Sequence, residues 1–193
     1  MANITPLRER LKQTILPELQ KELGVKNALA VPRIAKVKVS VGFGKVARKS
    51  GAATMDDSRI KTISENISAI TGQKPATHKA KKAISNFKTR EGLLIGASVT
   101  LRGKRALDFL DRLINVAFPR VRDFRGIPTK LDGNGNYSVG IKDHTIFAEI
   151  APDQTEFTHG LEVTVVTTAT DDASAKSLLT KMGFPFVKPE QKN

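Results

Sequence analysis

Two stretches of the chain contain many basic residues and no acidic ones, which is the composition of a surface that binds a polyanion. Residues 23–55 carry seven Lys and Arg, and residues 66–90 carry six. These thirteen account for the whole net charge of +13, because the remaining basic and acidic residues cancel. Phosphate is the expected anion, since neutralising a nucleic acid releases condensed counterions and drives association. The alternative is an ordinary solvated basic face.

Residues able to contact a nucleic-acid backbone alternate with apolar residues in two segments, 35–41 and 93–102. Alternation with a period of two is typical of a strand that buries one face. On neighbouring strands the polar positions would form one surface, where short hydroxyl side chains bond phosphate or the ribose 2′-hydroxyl and lysines supply charge. A solvated strand face without a ligand is the alternative. The polar positions are Lys36, Lys38, Ser40, Ser98, Thr100 and Arg102.

The residue types that most enzymes need are absent or scattered. The chain has no Cys, which excludes disulfides, thiolate metal sites and cysteine nucleophiles. Its three histidines, His78, His144 and His159, stand far apart, and neither a carboxylate pair nor a serine nucleophile motif accompanies them. His78 lies among lysines, where a phosphate contact is expected, and the other two are expected at the surface or in packing. We therefore predict binding without catalysis, and no metal or cofactor.

Two glycine-containing motifs resemble other ligand sites but lack the context that those ligands need. Residues 42–47 match the G-x-G-x-x-A pattern of dinucleotide sites, yet a Ser-Gly pair interrupts the helix that must follow. Residues 132–136 (DGNGN) have the spacing of calcium ligands, but Tyr137 stands where a calcium loop requires glycine. We interpret the first motif as a turn that lets backbone approach phosphate, and the second as a tight turn.

The pattern of hydrophobic residues predicts an α+β fold. The first helix is predicted to start at Thr5-Pro6, with Pro17 producing a kink or a fresh start. The basic segment 73–90 has little periodicity and is predicted to be mostly loop or irregular strand. We expect a single domain, residues 1–193, with a largely antiparallel sheet, helices packed on one face and RNA bound on the other. The predicted helices cover 6–23, 57–71, 107–117 and 171–182, and the predicted strands cover 35–41, 93–101, 137–141, 145–150 and 161–168. The second helix is predicted to be capped by Asp56 or Asp57 and to end at Gly72. The predicted apolar positions are Ile60, Ile63, Ile67 and Ile70 in the second helix, Leu107, Leu110, Ile114 and Ala117 in the third, and Leu93, Ile95, Ala97, Val99 and Leu101 in the second strand.

Eight short motifs resemble, in order, the signature segments of bacterial large-subunit ribosomal protein five. Each motif alone is weak, but eight in register over residues 5–187 are hard to obtain by chance. Two departures from the family pattern are Ser40, where asparagine is usual, and residues 45–59, which are longer than expected. The motifs are Val31–Ile34, Thr71–Pro75, Lys81–Lys88, Val99–Gly103, Phe118–Gly126, Asp132–Tyr137, Thr167–Ala169 and Gly183–Phe186.

The resemblance implies a structural, non-enzymatic protein that holds 5S rRNA in the central protuberance of the large ribosomal subunit. It also implies contacts with 23S rRNA and with other proteins of the central protuberance. Because serine is shorter than the family's asparagine, the RNA contact at Ser40 is expected to be lost, rearranged or mediated by water. Together with the charged and polar strand positions, the residues expected to bind rRNA are Arg33, Lys36, Lys38, Ser40, Gln73, Lys74, Ser98, Thr100 and Arg102.

The same resemblance implies two contacts with partners that come and go. Residues 75–87 match the loop that reaches P-site tRNA. Residues 140–159 match the part that faces small-subunit ribosomal protein thirteen across an intersubunit bridge. The residues expected at the tRNA are Thr77, His78, Lys79, Lys81 and Lys82, and those expected at the bridge are His144, Asp153 and Glu156.

Two other classes of function are compatible with the charge distribution alone. A free-standing RNA-binding protein would share the basic stretches but not the family motifs, and sedimentation with the large subunit distinguishes the two. An RNA-processing enzyme using the 42–47 loop would show turnover or nucleotide binding. No segment resembles a signal peptide or a membrane span, so we expect a ribosomal location in the cytoplasm and no membrane partner.

Overall fold

The computed structural model describes residues 5–44, 56–87, 89–151 and 157–187. Helix α1 consists of three consecutive stretches, Leu7–Arg10, Leu11–Ile15 and Leu16–Glu22; α2 is Asp57–Thr71; α3 is Gly103–Arg112, continued by Leu113–Ala117 and Phe118–Arg120; and α4 is Asp172–Met182. The strands are β1 (Ile34–Gly42), β2 (Ala76–Lys79), β3 (Leu94–Leu101), β4 (Tyr137–Ile141) and β5 (Leu161–Thr167). Short 3-10 turns lie at Ala28–Ala30, Ser85–Phe87 and His144–Ile146.

The five strands form one sheet in the order β2-β3-β1-β5-β4, so that β2 and β4 are its edges. Strand β2 pairs antiparallel with β3. Strands β1 and β5 are also antiparallel, because Thr168 after β5 donates to the carbonyl of Arg33 before β1, whereas Ser40 near the end of β1 meets Glu162 near the start of β5. These pairings confirm the predicted α+β class with an antiparallel sheet.

Helix α1 passes through a π-helical turn, Leu11–Ile15, shortly before Pro17. Proline has no N–H for the carbonyl four residues back, and its ring crowds that carbonyl. In the wider turn Leu16 donates to the carbonyl of Leu11, which accommodates the ring without ending the helix. The interruption predicted at Pro17 therefore takes the form of a π turn. The helix begins at Leu7, with Pro6 as N-cap, one position later than predicted.

The chain divides into two compact units. The first consists of Met1–Val37, Leu101–Val139 and Thr164–Asn193. Within it, Lys181 of α4 forms ion pairs with Glu18 and Glu22 of α1, at 3.3 and 3.2 Å. A cluster of aromatic rings adds to its core, with the edge of one ring against the face of the next. The cluster includes Phe118, Tyr137, Phe184 and Phe186.

The second unit consists of Lys38–Thr100 and Gly140–Val163, and α2 supplies much of its core. The Asp56 side chain accepts the N–H of Ser58 and caps the helix. Gly72, with φ of 68°, ends it in the left-handed conformation that glycine adopts without strain. As predicted, isoleucines at helical spacing form the buried stripe, namely Ile60, Ile63, Ile67 and Ile70. The expectation of a single domain over the whole chain stays a prediction.

One prediction of a strand was wrong. The segment 145–150 is not a strand, because the Asp143 side chain accepts the N–H of Thr145 at 2.9 Å and starts the 3-10 turn His144–Ile146. The segment 73–90 is mostly loop with a short irregular strand, as predicted: Ala76–Lys79 pairs with β3 as an edge strand, and its register shifts between His78 and Lys79.

The buried stripe of α3 is also shifted from the predicted one. Phe109 and Leu113 are buried in the core, whereas Leu107 and Ile114 are only half-buried. Ile95, predicted on the buried face of β3, is 41% exposed near the start of that strand. In the part of the chain that the structure describes, no helix combines the length and apolar character needed to cross a lipid bilayer.

Candidate nucleic-acid interface

Alternate residues on the strands of the second unit form a polar, accessible face. Odd-numbered residues such as Val39, Val99 and Val163 are buried, whereas most even-numbered ones are exposed or half-exposed. Strands β1 and β3 are neighbours, which is the condition under which their polar residues were predicted to share one face. We call the following set the polar sheet face: Lys38, Ser40, His78, Ser98, Thr100 and Glu162.

Ser40 donates its hydroxyl hydrogen to Oε2 of Glu162 on the neighbouring strand β5, at 3.2 Å. A hydroxyl has one hydrogen, so Ser40 then offers a nucleic acid only its oxygen lone pairs. An asparagine amide at this position would keep both a donor and an acceptor. Glu162 was not among the predicted site residues, although its polar position in the alternating segment 161–168 is the signal that could have identified it.

His78 and Ser98 are joined across the β2–β3 pair, with His78 Nε2 and Ser98 Oγ 2.7 Å apart. In the antiparallel register His78 lies opposite Gly96, so its ring reaches Ser98 diagonally on the same face. His78 was assigned to the tRNA loop, but the structure brings it to the predicted rRNA residues. Thr77 and Lys79 are exposed on the same strand and alternate with it.

The close contact of β3 with β1 depends on Gly96. A Cβ atom at this position would lie 2.8 Å from the carbonyl oxygen of Val41, well inside contact distance. The pairing continues past β1, because the N–H of Phe43 donates to the carbonyl of Ile95 at 2.9 Å and the Phe43 side chain is fully buried. The backbone at 42–44 thus extends the sheet instead of opening a nucleotide-binding helix, while residues 45–47 of that motif lie outside the described residues.

Gln73 and Lys74 stand where α2 ends and the chain turns into β2. The Thr71 hydroxyl donates to the carbonyl of Ile67 at 2.7 Å and is buried in the last turn. After Gly72, Gln73 is half-buried and Lys74 is exposed. Both line a cleft beside the outer face of α2, together with Lys61, Ser64, Glu65 and Ser68.

The other predicted rRNA residues, Arg33, Lys36 and Arg102, belong to the first unit. The Arg33 side chain already makes a contact within the protein, because its guanidinium Nη2 donates to the carbonyl of Ala28 at 3.2 Å. Lys36 is half-exposed on β1, and Arg102 is exposed at the N-cap of α3 without a side-chain capping bond. All three remain predicted rRNA contacts, and Arg33 has the least freedom to move towards a ligand.

The segment between β2 and β3 contains a fully exposed stretch, residues 81–87, which we call the tip. Ile84 and Thr89 exchange two backbone hydrogen bonds, at 3.0 and 3.1 Å, and enclose the 3-10 turn Ser85–Phe87. Every residue from 81 to 87 is exposed, including Lys81, Lys82 and the ring of Phe87. Two of the five predicted tRNA-loop residues therefore lie in the loop, and the other three lie in β2.

The predicted bridge residues divide between a buried site and an undescribed segment. Asp153 and Glu156 lie outside the described residues. His144 has no exposed surface, so its imidazole is not available for direct contact with a partner. His144 could contribute to the predicted bridge only indirectly, by holding the surrounding loop in place.

His144 and His159 form a buried stacked pair, and burial favours the neutral form of each ring. The backbone N–H of His159 donates to Nδ1 of the His144 ring at 3.3 Å. The side-chain Nδ2 of Asn66 lies 3.4 Å from Nε2 of the His159 ring. Because Nδ1 of His144 accepts the backbone N–H of His159, protonating that nitrogen would break the bond. Burial lowers the pKa of both rings, that of His159 to about 4, with the charge of His144 adding to the effect. The Asp143 carboxylate, 3.8 Å from Nδ1 of His144, partly opposes the lowering of the His144 pKa.

The DGNGN segment is a hydrogen-bonded turn. Oδ1 of Asp132 accepts the backbone N–H groups of Asn134 and Asn136, and its Oδ2 accepts the side-chain amide of Asn136. Asp172, at the start of α4, accepts the N–H groups of Gly133 and Gly135. These oxygens serve backbone donors, which agrees with the interpretation as a tight turn.

Comparison with known proteins identifies the family. Residues 27–90 match the family model described as "Ribosomal protein L5", and residues 94–186 match the model of the C-terminus of the same ribosomal protein family. The chain is 49% identical to large ribosomal subunit protein uL5 of Acidobacterium capsulatum, over 93% of this chain and 96% of the relative. It is 48% identical to the uL5 protein of Mesoplasma florum, over 94% and 98% of the two chains, and 46% identical to that of Thermobifida fusca, over 95% and 93%. Two adjoining family models and relatives of matching length leave one assignment: this chain belongs to the L5 family of structural, non-enzymatic proteins of the large ribosomal subunit.

Proposed function

We propose that this protein binds 5S rRNA through the polar sheet face and helps to attach it in the central protuberance, beside 23S rRNA and neighbouring proteins. One observation carries the proposal. Lys38, Ser40, Ser98 and Thr100 lie on the accessible face of adjacent strands, while the opposite face of the same strands is buried. A flat face with short hydroxyl side chains and lysine admits a ribose–phosphate backbone closely and supplies it with donors and charge.

A binding assay with the full chain tests this proposal. Labelled 5S rRNA should bind the protein, and competition with an equal mass of unrelated structured RNA should remove it only at large excess. The double variant Ser98→Ala, Thr100→Val keeps the strands but removes two hydroxyls from the face, and should weaken binding. Equal affinity for all RNAs, or no effect of the double variant, would contradict recognition by this face.

We propose further that the tip between β2 and β3 contacts P-site tRNA. The support is the full exposure of residues 81–87, with Lys81 and Lys82 exposed in a segment that the Ile84–Thr89 backbone pair closes. A loop with few packing contacts suits a partner that arrives and leaves, because its contacts form reversibly. Retention of P-site tRNA on ribosomes carrying Lys81→Ala, Lys82→Ala tests this assignment.

A third proposal concerns the segment 140–159, which we infer to face small-subunit ribosomal protein thirteen. The support is that charged side chains accompany a loop held by a rigid buried pair, with Lys142 exposed and Asp143 half-exposed beside His144. Cross-linking from position 142 in assembled ribosomes tests the contact, since a product with any other protein would contradict it.

A further inference from the structure

Glu162 introduces negative charge into a face that otherwise suits a polyanion. Among the described strand residues of the second unit, Glu162 is the one acidic side chain, and it is exposed. Within the described part of the chain it takes part in no ion pair, and its one hydrogen bond there comes from Ser40. Phosphate groups approaching this face would therefore meet a carboxylate at one point, which repels them.

A carboxylate can only accept hydrogen bonds, which restricts the RNA groups that it attracts. A phosphate diester has no donor at neutral pH and is repelled. The donors of RNA are its base amino and imino groups and its 2′-hydroxyls. Of these, the guanine 2-amino group and the 2′-hydroxyl are displayed in the wide, shallow minor groove, which a flat sheet can approach, whereas the deep major groove excludes side chains.

We propose that Glu162, oriented by Ser40, accepts a hydrogen bond from a minor-groove donor of the bound RNA, either a guanine 2-amino group or a ribose 2′-hydroxyl. The inference rests on the proposed binding of 5S rRNA to this face and adds a residue that reads the RNA where its neighbours hold the backbone. Lys38 attracts any RNA backbone through its charge, whereas Glu162 recognises a hydrogen-bond donor at one position of the RNA.

Ser40 gives this carboxylate a defined position. Its hydroxyl hydrogen is directed at Oε2 of Glu162, which leaves the second carboxylate oxygen for a ligand. A glutamate side chain free to rotate would lose entropy on meeting the RNA, and a prior hydrogen bond reduces that loss. Ser40→Ala keeps the charge but releases the carboxylate, so it should weaken binding less than removal of the carboxylate does.

Analogue interference mapping tests the proposal with transcripts of 5S rRNA. One pool carries inosine phosphorothioate in place of guanosine at random positions, which removes the 2-amino group. A second pool carries 2′-deoxy phosphorothioates, which remove the 2′-hydroxyl, and a third carries phosphorothioates alone. Each pool is bound to the wild-type protein and to Glu162→Ala, and the bound RNA is cleaved with iodine.

We expect at least one position to interfere with wild-type binding in the inosine or the deoxy pool, and the same position to be silent with Glu162→Ala. The variant should also bind unmodified 5S rRNA about tenfold more weakly, with an unchanged salt dependence, because no phosphate contact is lost. Glu91→Gln is the matched control: Glu91 is exposed in the same unit but lies outside the strands, so its interference pattern should equal that of the wild type.

Two outcomes overturn the inference. Glu162→Ala binding as tightly as the wild type, with identical interference in both pools, would leave the carboxylate as a tolerated repulsive group. Failure of the wild-type protein to bind any 5S transcript would instead refute the proposed function, and the inference with it. Thermal unfolding of Ser40→Ala and Glu162→Ala shows whether a weaker complex reflects lost contact or lost fold.

Discussion

The imidazole rings of His144 and His159 stack with their centroids 3.9 Å apart and their planes 11° from parallel. Both rings are almost completely buried, and the neutral form of each fits the surrounding N–H donors. Arg59 also lies near the pair, with its guanidinium 5.3 Å from the ring centre of Phe157, whose ring lies 6.3 Å from that of His159. Because both rings are buried as a pair, the stability of the second unit depends on pH.

We expect the protein to lose stability as the pH falls from about 6.5 towards 4. The unfolded chain takes up protons on its histidines in this window, whereas the folded chain resists because the pKa of His159 is lowered to about 4. The stabilisation from keeping His159 neutral is fully present above the pKa of the unfolded chain. Its loss lowers the free energy of unfolding by at most about 3 kcal/mol. Urea unfolding at a series of pH values measures it. His159→Gln should flatten the profile and His78→Gln should not. Titration of His159 near pH 6.5 by NMR would contradict the account.

Binding to 5S rRNA should weaken steeply with salt. If four to six cations meet phosphate, the slope of log K against log salt concentration is about −3 to −5. Replacing Lys36 and Lys38 with alanine should make the slope shallower by about one to two. The matched control replaces Lys12 and Lys21, which are exposed on α1, and should leave the slope unchanged. A wild-type slope shallower than about −1 would exclude an electrostatic basis for binding.

Thr100→Val should separate recognition from folding. Thr100 is half-exposed on the polar sheet face, and valine has nearly the same shape with equal preference for strands. We expect an affinity loss on the order of 1 kcal/mol with little change in melting temperature. Early melting combined with normal binding of the folded variant would show that this side chain acts in the fold alone.

Gly96→Ala should destabilise the sheet by about 2 kcal/mol, because the added methyl meets the backbone oxygen of Val41 at 2.8 Å and backbone yields little. Gly140→Ala is the matched control, since it is also a strand glycine but has no atom within 4 Å of the added Cβ. Chemical denaturation of the two variants measures the difference. Equal stability of both would show that β1 and β3 separate at small cost.

Replacing Lys81 and Lys82 with alanine should leave 5S rRNA affinity within a few-fold and weaken retention of P-site tRNA on assembled ribosomes. Both lysines are exposed and follow β2 in the loop, outside the strands that carry the polar sheet face. Filter binding of 5S rRNA and tRNA dissociation rates measure the two effects. A loss of 5S affinity on the order of a hundredfold would move the tip into the primary RNA site.

Features with a local cause could be predicted from the sequence. Alternating valines identified the buried face of β1. The isoleucine stripe of α2 and its Gly72 stop were also predicted, and of the two candidate caps, Asp56 and Asp57, the structure uses Asp56. The irregularity at Pro17 follows equally from one residue type. The opposite polar face of β1 and β3 was also predicted, since a period of two leaves no other arrangement.

Features that depend on pairing between distant segments were predicted incompletely or not at all. Strand β2 has weak alternation and owes its conformation to β3, while the short segment after Ile141 matched a strand pattern that the Asp143 turn overrides. The Ser40–Glu162 bond joins residues 122 positions apart, and its existence depends on the strand order. No local signal indicates that His144 would be buried against His159.

Strand β2 has a consequence for the protein before it is assembled. As an edge strand it presents one row of backbone groups to solvent, which is a template for pairing with another copy of the chain. Yet the strand is only four residues long, its register shifts between His78 and Lys79, and Lys74 precedes it. Short length, irregular register and charge each hinder edge-to-edge pairing. A newly synthesised copy therefore resists aggregation through this edge before it is assembled into the large ribosomal subunit.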